Sequence, residues 1–371
     1  MATFAVGSVI PGEKSQEASP STQDSKYLIL AVVLLRFAFA GLAIIAKSAL
    51  AKGMSPFTFA VYRNAIATVT FAPFALIFER SNRPSLTLSI LCKIILLGLL
   101  GVIEQDLYYT GMKHTTATFA TALYNVLPVI TFVLSWILRQ ENVNFKSLHG
   151  YAKLFGTLVT FGGSMVMTVI KGPLIGLPWT KHRTNIADVN PQNPILGSIM
   201  ILTACCCWAY FHILQAEVLQ SLEPSKFELS LTTLICAMAT VESSITTLVV
   251  ERGNAAIWSI HLDIKLLAYF YGGIICSGVA YYIAGIVMKK KGPVFVTSFN
   301  PLTMVIVAVM GSFIFAEELD LGKVAGAIII VIGLYLVLWG KSEKKDQNIS
   351  SVTNPSTLSD GSLATTDDGV V

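Results

Sequence analysis

Thr115–Glu141, TTATFATALYNVLPVITFVLSWILRQE, is the stretch on which the reading of this chain turns. Its 24 residues from Thr115 to Leu138 carry no charge. At about 1.5 Å per residue they make a helix of roughly 36 Å, enough to cross a hydrocarbon core of about 30 Å with some tilt. Asn125 and Pro128 stand near its middle. Pro128 has no N–H, so the carbonyl of Tyr124, four residues back, loses its helical partner. In lipid such a carbonyl is tolerated only where protein or water satisfies it. An amide beside a freed carbonyl at mid-membrane predicts a helix break that lines a polar cavity. A second run, Val294–Ala316, repeats the device with Asn300 and Pro301, and it ends at Glu317 as the first ends at Glu141. Proline-interrupted spans in corresponding places of two halves point to the binding site of a transporter.

Composition agrees. Of 371 residues 54% are hydrophobic and 13% charged, and mean hydropathy is +0.66. A soluble domain carries about 25% charged residues, so this is an all-α polytopic membrane protein. The net charge of +4 is spread over loops and gives no reason to invoke nucleic acid. The six cysteines lie in or beside apolar runs without CxxC spacing and read as small packing residues. No metal motif and no cofactor is indicated. GxSG, GxGD, HExxH and P-loop patterns are absent from the sequence, so an enzyme is not expected.

Ten spans are predicted, at approximately 27–47, 57–78, 91–111, 116–138, 148–170, 194–215, 227–250, 265–288, 293–316 and 322–340. The chain divides into a polar, disordered tail over 1–26, a first five-span half over 27–170 and a Pro-containing loop over 171–193. A second five-span half over 194–341 and a second disordered tail over 342–371 follow. Five spans per half is odd, so related halves lie upside down to each other. A gapless slide of 176 residues brings Met112-Lys113 onto Met288-Lys289, Thr121 onto Thr297, Glu141 onto Glu317 and Gly150 onto Gly326. With both termini in the cytosol, fourteen Lys and Arg fall on the inner side and nine on the outer, the sense of the positive-inside rule.

Ionisable side chains at membrane depth cost about 2.5–3.5 kcal/mol on insertion scales and mark function by default. Arg36 and Arg63 either pair with an acid or reach for the interface. Glu104 and Asp106 are the foremost candidates for charge or proton coupling. Two residues apart on a helix, they face different sides, so one of them is expected to reach the cavity. Trp208, His212 and Gln215 share one helical face, and His212 serves either a neighbouring helix or a ligand. Tyr108, Tyr109, Tyr281 and Tyr282 either pack or contribute an aromatic surface. The expected substrate-binding set is Gln105, Tyr108, Tyr124, Asn125, Trp208, Gln215, Tyr281 and Asn300, with helix breaks at Pro128 and Pro301. The expected partners are a small-molecule substrate and membrane lipid.

The chain also resembles the plant drug/metabolite transporter superfamily, in particular its EamA-like, nodulin-like group, the Walls-Are-Thin-related or UMAMIT proteins. In the first half the resemblance rests on Tyr62-Arg63, Gln105, Leu107-Tyr108-Tyr109, Thr118-Phe119, Asn125, Pro128 and Glu141. In the second it rests on Cys207-Trp208, Gln215, Tyr271-Gly272-Gly273, Ser277-Gly278-Val279, Lys291-Gly292-Pro293, Phe299-Asn300-Pro301-Leu302 and Glu317. It implies ten helices in two inverted five-helix repeats around a central cavity. It also implies facilitated movement of amino acids, or of auxin and related organic acids, across the plasma or vacuolar membrane. Glu104-Gln105-Asp106 departs from the pattern, in which one acid precedes two amides; the second acid bears on substrate charge preference or pH response.

Overall fold

The computed structural model describes residues 22–79, 87–114, 123–140, 148–170, 172–175, 193–222, 227–252, 255–259, 262–314 and 319–340. Among them are α1 (Thr22–Ala51), α2 (Pro56–Phe78), α3 (Leu88–His114), α4 (Leu127–Ile137) and α5 (Leu148–Val169). The second half supplies α6 (Pro194–Ser221), α7 (Glu228–Val250), α8 (Ile264–Lys291), α9 (Pro293–Ile314) and α10 (Leu321–Gly340). Nine are long and apolar enough to cross a bilayer, and the described part of α4 is shorter. The helices overrun the apolar boundaries, because helical hydrogen bonding continues into the polar interface. Thus α1 begins at Thr22, inside the segment assigned to the polar tail. The first part of span four, with Thr118 and Phe119, lies outside the described residues, as do Glu141 and Glu317.

Local chemistry sets several helix ends. Asp263 caps α8, its carboxylate accepting from the Lys265 N–H at 2.9 Å. α4 stops where charge begins: Arg139 takes φ +57°, and the Gln140 N–H reaches back to the Ser135 carbonyl at 2.9 Å, a Schellman closure. Gly292, at φ +81°, makes the sharp turn from α8 into α9.

The halves interlock pairwise. α2 packs along α7, α5 along α10, α3 along α6 and α1 along α8. Helices of equal rank in the two halves thus face each other at α2–α7 and α5–α10, and α3–α6 is mirrored by α8–α1. That is the contact pattern of a two-fold axis lying in the membrane plane. The α5–α10 contact is a seam of small residues. A Cβ on Gly156 would stand 2.7 Å from the Val337 nitrogen and 2.9 Å from the Gly333 carbonyl oxygen. One on Gly163 would stand 2.8 Å from the Ile330 nitrogen and 3.0 Å from the Gly326 carbonyl oxygen. Small residues let backbones approach closely in lipid, where no hydrophobic drive brings helices together. Gly156 against Gly333 and Gly163 against Gly326 are exchanged by the pseudo-axis only if Gly156 corresponds to Gly326 and Gly163 to Gly333. The register in the fifth helix is therefore a shift of 170 residues, not the 176 of a gapless slide. Connections of unequal length between spans move the register from helix to helix. At one edge Leu174–Ile175 and Leu319–Asp320 pair as two-residue antiparallel strands, tying the end of α5 to the start of α10.

The end of the bundle that carries the start of α1 and the end of α10 is closed by polar contacts. Glu79 caps α7 from α2, its two carboxylate oxygens accepting from Leu229 N–H at 2.9 Å and Ser230 N–H at 2.7 Å. A carboxylate there also meets the positive end of the α7 dipole. Lys93–Glu217, at 2.7 Å, and Lys289–Glu228, at 3.1 Å, bridge α3 to α6 and α8 to α7.

The glycine seam makes a direct prediction. A Cβ at Gly333 would come 2.4 Å from Thr160 Oγ1 and 2.5 Å from the Thr160 nitrogen, whereas one at Gly162 meets nothing within 4 Å. Gly333→Ala is expected to cost about 1–3 kcal/mol through overpacking, read as a lower midpoint in thermal unfolding of the detergent-purified protein. Gly162→Ala should leave that midpoint unchanged or higher.

Candidate functional site

Both predicted breaks are present, and both have the same form. Leu123 and Tyr124 are helical, Asn125 and Val126 form a turn, and Pro128 is the second residue of the helix that restarts at Leu127. In α9 the helix ends at Ser298, Phe299 turns, and Pro301 is again the second residue of the restarted segment. Proline is well placed in a first turn, where its missing N–H would have no partner anyway.

Side chains from other helices meet backbone carbonyls at both breaks. The Cys205 thiol of α6 points at the Leu123 and Tyr124 carbonyls, 3.9 Å from each, so this cysteine does more than pack. Arg36 of α1 donates from Nη2 to the Val296 carbonyl at 2.9 Å and from Nη1 to the Asn300 side-chain oxygen. The two breaks touch through Asn125, whose Nδ2 donates to Met304 Sδ at 3.0 Å.

Between the breaks lies a cavity of about 380 Å³. Of the expected binding set, Gln105 and Tyr108 line it from α3, and Tyr124 and Asn125 from the α4 break. Trp208 and Gln215 line it from α6, Tyr281 from α8 and Asn300 from α9. Of the two candidate acids, Glu104 lines the cavity and Asp106 does not. Glu104 is 7% exposed and accepts from the Tyr124 hydroxyl at 2.7 Å. The lining extends to Lys47, Leu50, Met112 and Lys323, all at the end away from the termini. The polar closure at the opposite end contributes nothing to it, so the cavity reaches one face of the bundle.

The structure adds residues that sequence reasoning had not assigned to the site. Arg36, 5% exposed, faces the cavity, as do Arg63, Tyr109, His212, Thr303 and Met304. Neither arginine follows the expected alternatives: among the described residues no carboxylate lies within 4 Å of either, and both are buried rather than reaching the interface. Arg63 Nε donates to Ser277 Oγ at 2.7 Å, and its guanidinium stands 5.9 Å from the Phe59 ring centre. Ser277 belongs to a π-helical stretch, Tyr271–Val279, in the middle of α8. Its glycines admit α2: a Cβ on Gly273 would lie 2.7 Å from the Arg63 carbonyl oxygen. Helical spacing from Asn300 would have found Thr303 and Met304, three and four residues on along the same face.

Among the described residues, eight buried side-chain nitrogen or oxygen atoms have no hydrogen-bond partner. Five of them, on Arg36, Gln105, His212, Gln215 and Thr303, belong to residues lining this cavity. Unpaired buried polar atoms are expensive and rare, and their gathering on the residues of one cavity singles that cavity out as the candidate site. Aromatic rings share the lining: Trp208 stands with its ring centre 4.7 Å from His212 and 5.8 Å from Tyr281, and Tyr108 stands 4.8 Å from Tyr124. Concave apolar walls with a few convergent polar groups are what small-molecule sites look like.

Ten helices in two inverted halves around a polar cavity that reaches one face define a membrane transporter of small solutes. The chain belongs to the EamA-like transporter family, whose profile matches it twice, over residues 26–169 and 195–339. Three WAT1-related proteins of Arabidopsis thaliana are similar to it, at 54%, 49% and 47% identity. The alignments cover 88%, 86% and 85% of this chain and 87%, 84% and 85% of theirs. A solved crystal structure matches 84% of this chain and 98% of its own with a TM-score of 0.64 at 14% identity, a likeness of fold alone.

Ser277→Ala tests the Arg63 contact. Removing the acceptor strands a buried, charged N–H and is expected to cost about 1–3 kcal/mol, measured as a lower thermal midpoint. Ser277→Thr, which keeps the hydroxyl, should recover part of it.

Proposed function

We propose that the protein carries amino acids across its membrane facilitatively, exporting them or moving them in both directions, by alternating access. The observation that carries this reading is the set of orphaned polar atoms converging on one cavity that also holds buried groups of both charges. A zwitterion needs donors and acceptors at short range, and Asn125, Asn300, Gln105 and Gln215 supply both kinds. Asn125 and Asn300 stand at the two helix breaks, where an amino-acid headgroup would lie between the repeats. Alternating access then requires the polar closure around Glu79 to open as the far end shuts, a rocking of one repeat on the other. The reading places the protein in the plasma or vacuolar membrane with both termini cytosolic, in line with the excess of Lys and Arg in that set of loops.

The test is efflux from oocytes preloaded with labelled amino acids. Efflux above that of uninjected cells is expected, and external unlabelled amino acid should accelerate it, because a carrier returns faster loaded than empty whereas a channel shows no such exchange. Asn125→Ala together with Asn300→Ala, at equal surface expression, should lower the rate at sub-saturating substrate about tenfold, the equivalent of two ordinary hydrogen bonds. Unchanged kinetics would remove the headgroup assignment. A second reading, a carrier of indole acetate or another small aromatic acid, draws on the wall of Trp208, Tyr281, Tyr108 and Tyr124. Efflux of labelled indole acetate without that of amino acids would favour it.

A further inference from the structure

We propose that Arg36 anchors the substrate's carboxylate and Glu104 receives its ammonium group. The amino acid then lies across the cavity with its acid end toward α1 and α9 and its amino end toward α3. This rests on the reading of the protein as an amino-acid carrier and assigns the polarity of that site.

Arg36 sits at the middle of α1, buried, with a fixed positive charge. Its two bonds go to neutral acceptors, the Asn300 amide oxygen and the Val296 carbonyl. Its Nε–H is buried without a partner, and no carboxylate of the described residues lies within 4 Å. A guanidinium in this state lacks a countercharge and has an unfilled donor on the edge that forms forked contacts with carboxylates. Charge-assisted bonds are about twice as strong as neutral ones, so an arriving carboxylate displaces the Asn300 oxygen. Arg63 is a poorer anchor, because its Nε is already committed to Ser277.

Other residues of the lining present acceptors. Glu104 spends one bond on the Tyr124 hydroxyl and, as a carboxylate, has capacity for more. Gln215 donates its amide nitrogen to the Tyr281 carbonyl at 3.3 Å, which leaves its unpartnered oxygen for a ligand. Gln105 and His212 add an unpaired oxygen and an unpaired ring nitrogen. A guanidinium without a carboxylate partner and a carboxylate with acceptor capacity to spare thus line the same cavity, as a bound zwitterion requires.

The experiment measures binding to the detergent-purified full-length protein by thermal shift over a ligand concentration series. The probes are phenylalanine, 3-phenylpropanoate, which lacks the amine, and 2-phenylethylamine, which lacks the carboxylate. Asn300→Asp installs a carboxylate on Arg36 and should keep the unliganded midpoint. It should weaken phenylalanine and 3-phenylpropanoate about tenfold or more while leaving 2-phenylethylamine unweakened. Glu104→Gln should weaken phenylalanine by a similar factor and spare 3-phenylpropanoate. If Asn300→Asp does not fold, Arg36→Lys, which keeps the charge and loses the fork, is read in its place by the same loss for the two carboxylates. Unchanged phenylalanine binding in the Arg36 arm, or equal loss of phenylalanine and 3-phenylpropanoate in Glu104→Gln, overturns the proposal. Amino-acid flux without this binding pattern overturns the proposal alone; the pattern without amino-acid flux overturns the transport reading alone.

Discussion

The guanidinium of Arg36 against the broken backbone of α9 is the contact on which the centre of this molecule depends. A helix interrupted inside a membrane exposes carbonyls that lipid cannot solvate. α9 is interrupted before Pro301, and Arg36 reaches from α1 to the Val296 carbonyl and the Asn300 side chain at that gap. Each partner solves the other's difficulty: a charge at membrane depth needs acceptors, and the open turn needs donors. The first half has the same gap before Pro128 and closes it differently, with the Cys205 thiol near the Leu123 and Tyr124 carbonyls and Asn125 on Met304. The two breaks are alike in backbone form and unlike in charge, which is what gives the cavity its polarity.

Around these gaps the halves are held by close backbone approach as well as by buried apolar side chains from both. Lipid is as apolar as a leucine core, so association relies on packing. Gly156, Gly163, Gly326 and Gly333 bring α5 and α10 into backbone contact, and the glycines of the π-helical part of α8 do the same for α2. The tightly packed seams form the wall, and the broken helices α4 and α9 leave the space. Polar contacts from Glu79, Lys93 and Lys289 tie the helices together at the terminus end, and the lining of the cavity reaches the other end at Lys47, Met112 and Lys323.

The class of fold and much of the cavity were legible before any coordinates. Apolar runs of about 20 residues must span, an odd number per half must invert, and Asn-x-x-Pro and Asn-Pro at mid-span must break. Glu104, Gln105, Tyr108, Trp208 and Gln215 were recognisable because polar or amphipathic groups at depth are costly unless they serve a cavity. Arg36 was visible as an anomaly, but its partners were not, since they lie 260 and 264 residues away. The repeat register was misjudged as constant, because unequal connections shift it from helix to helix.

Sequence by itself determined which segments cross the membrane, where two of them break, and how residues on one helix are spaced around its axis. Tertiary structure alone decided how far each helix is turned about that axis. That rotation selects Glu104 over Asp106 for the cavity, aims Arg36 at Asn300 rather than at an acid, and directs Cys205 to a freed carbonyl. Its physical origin is the packing of one helix on the next, set by glycine seams and a π-helical stretch whose effect exists only once the partner helix is in place.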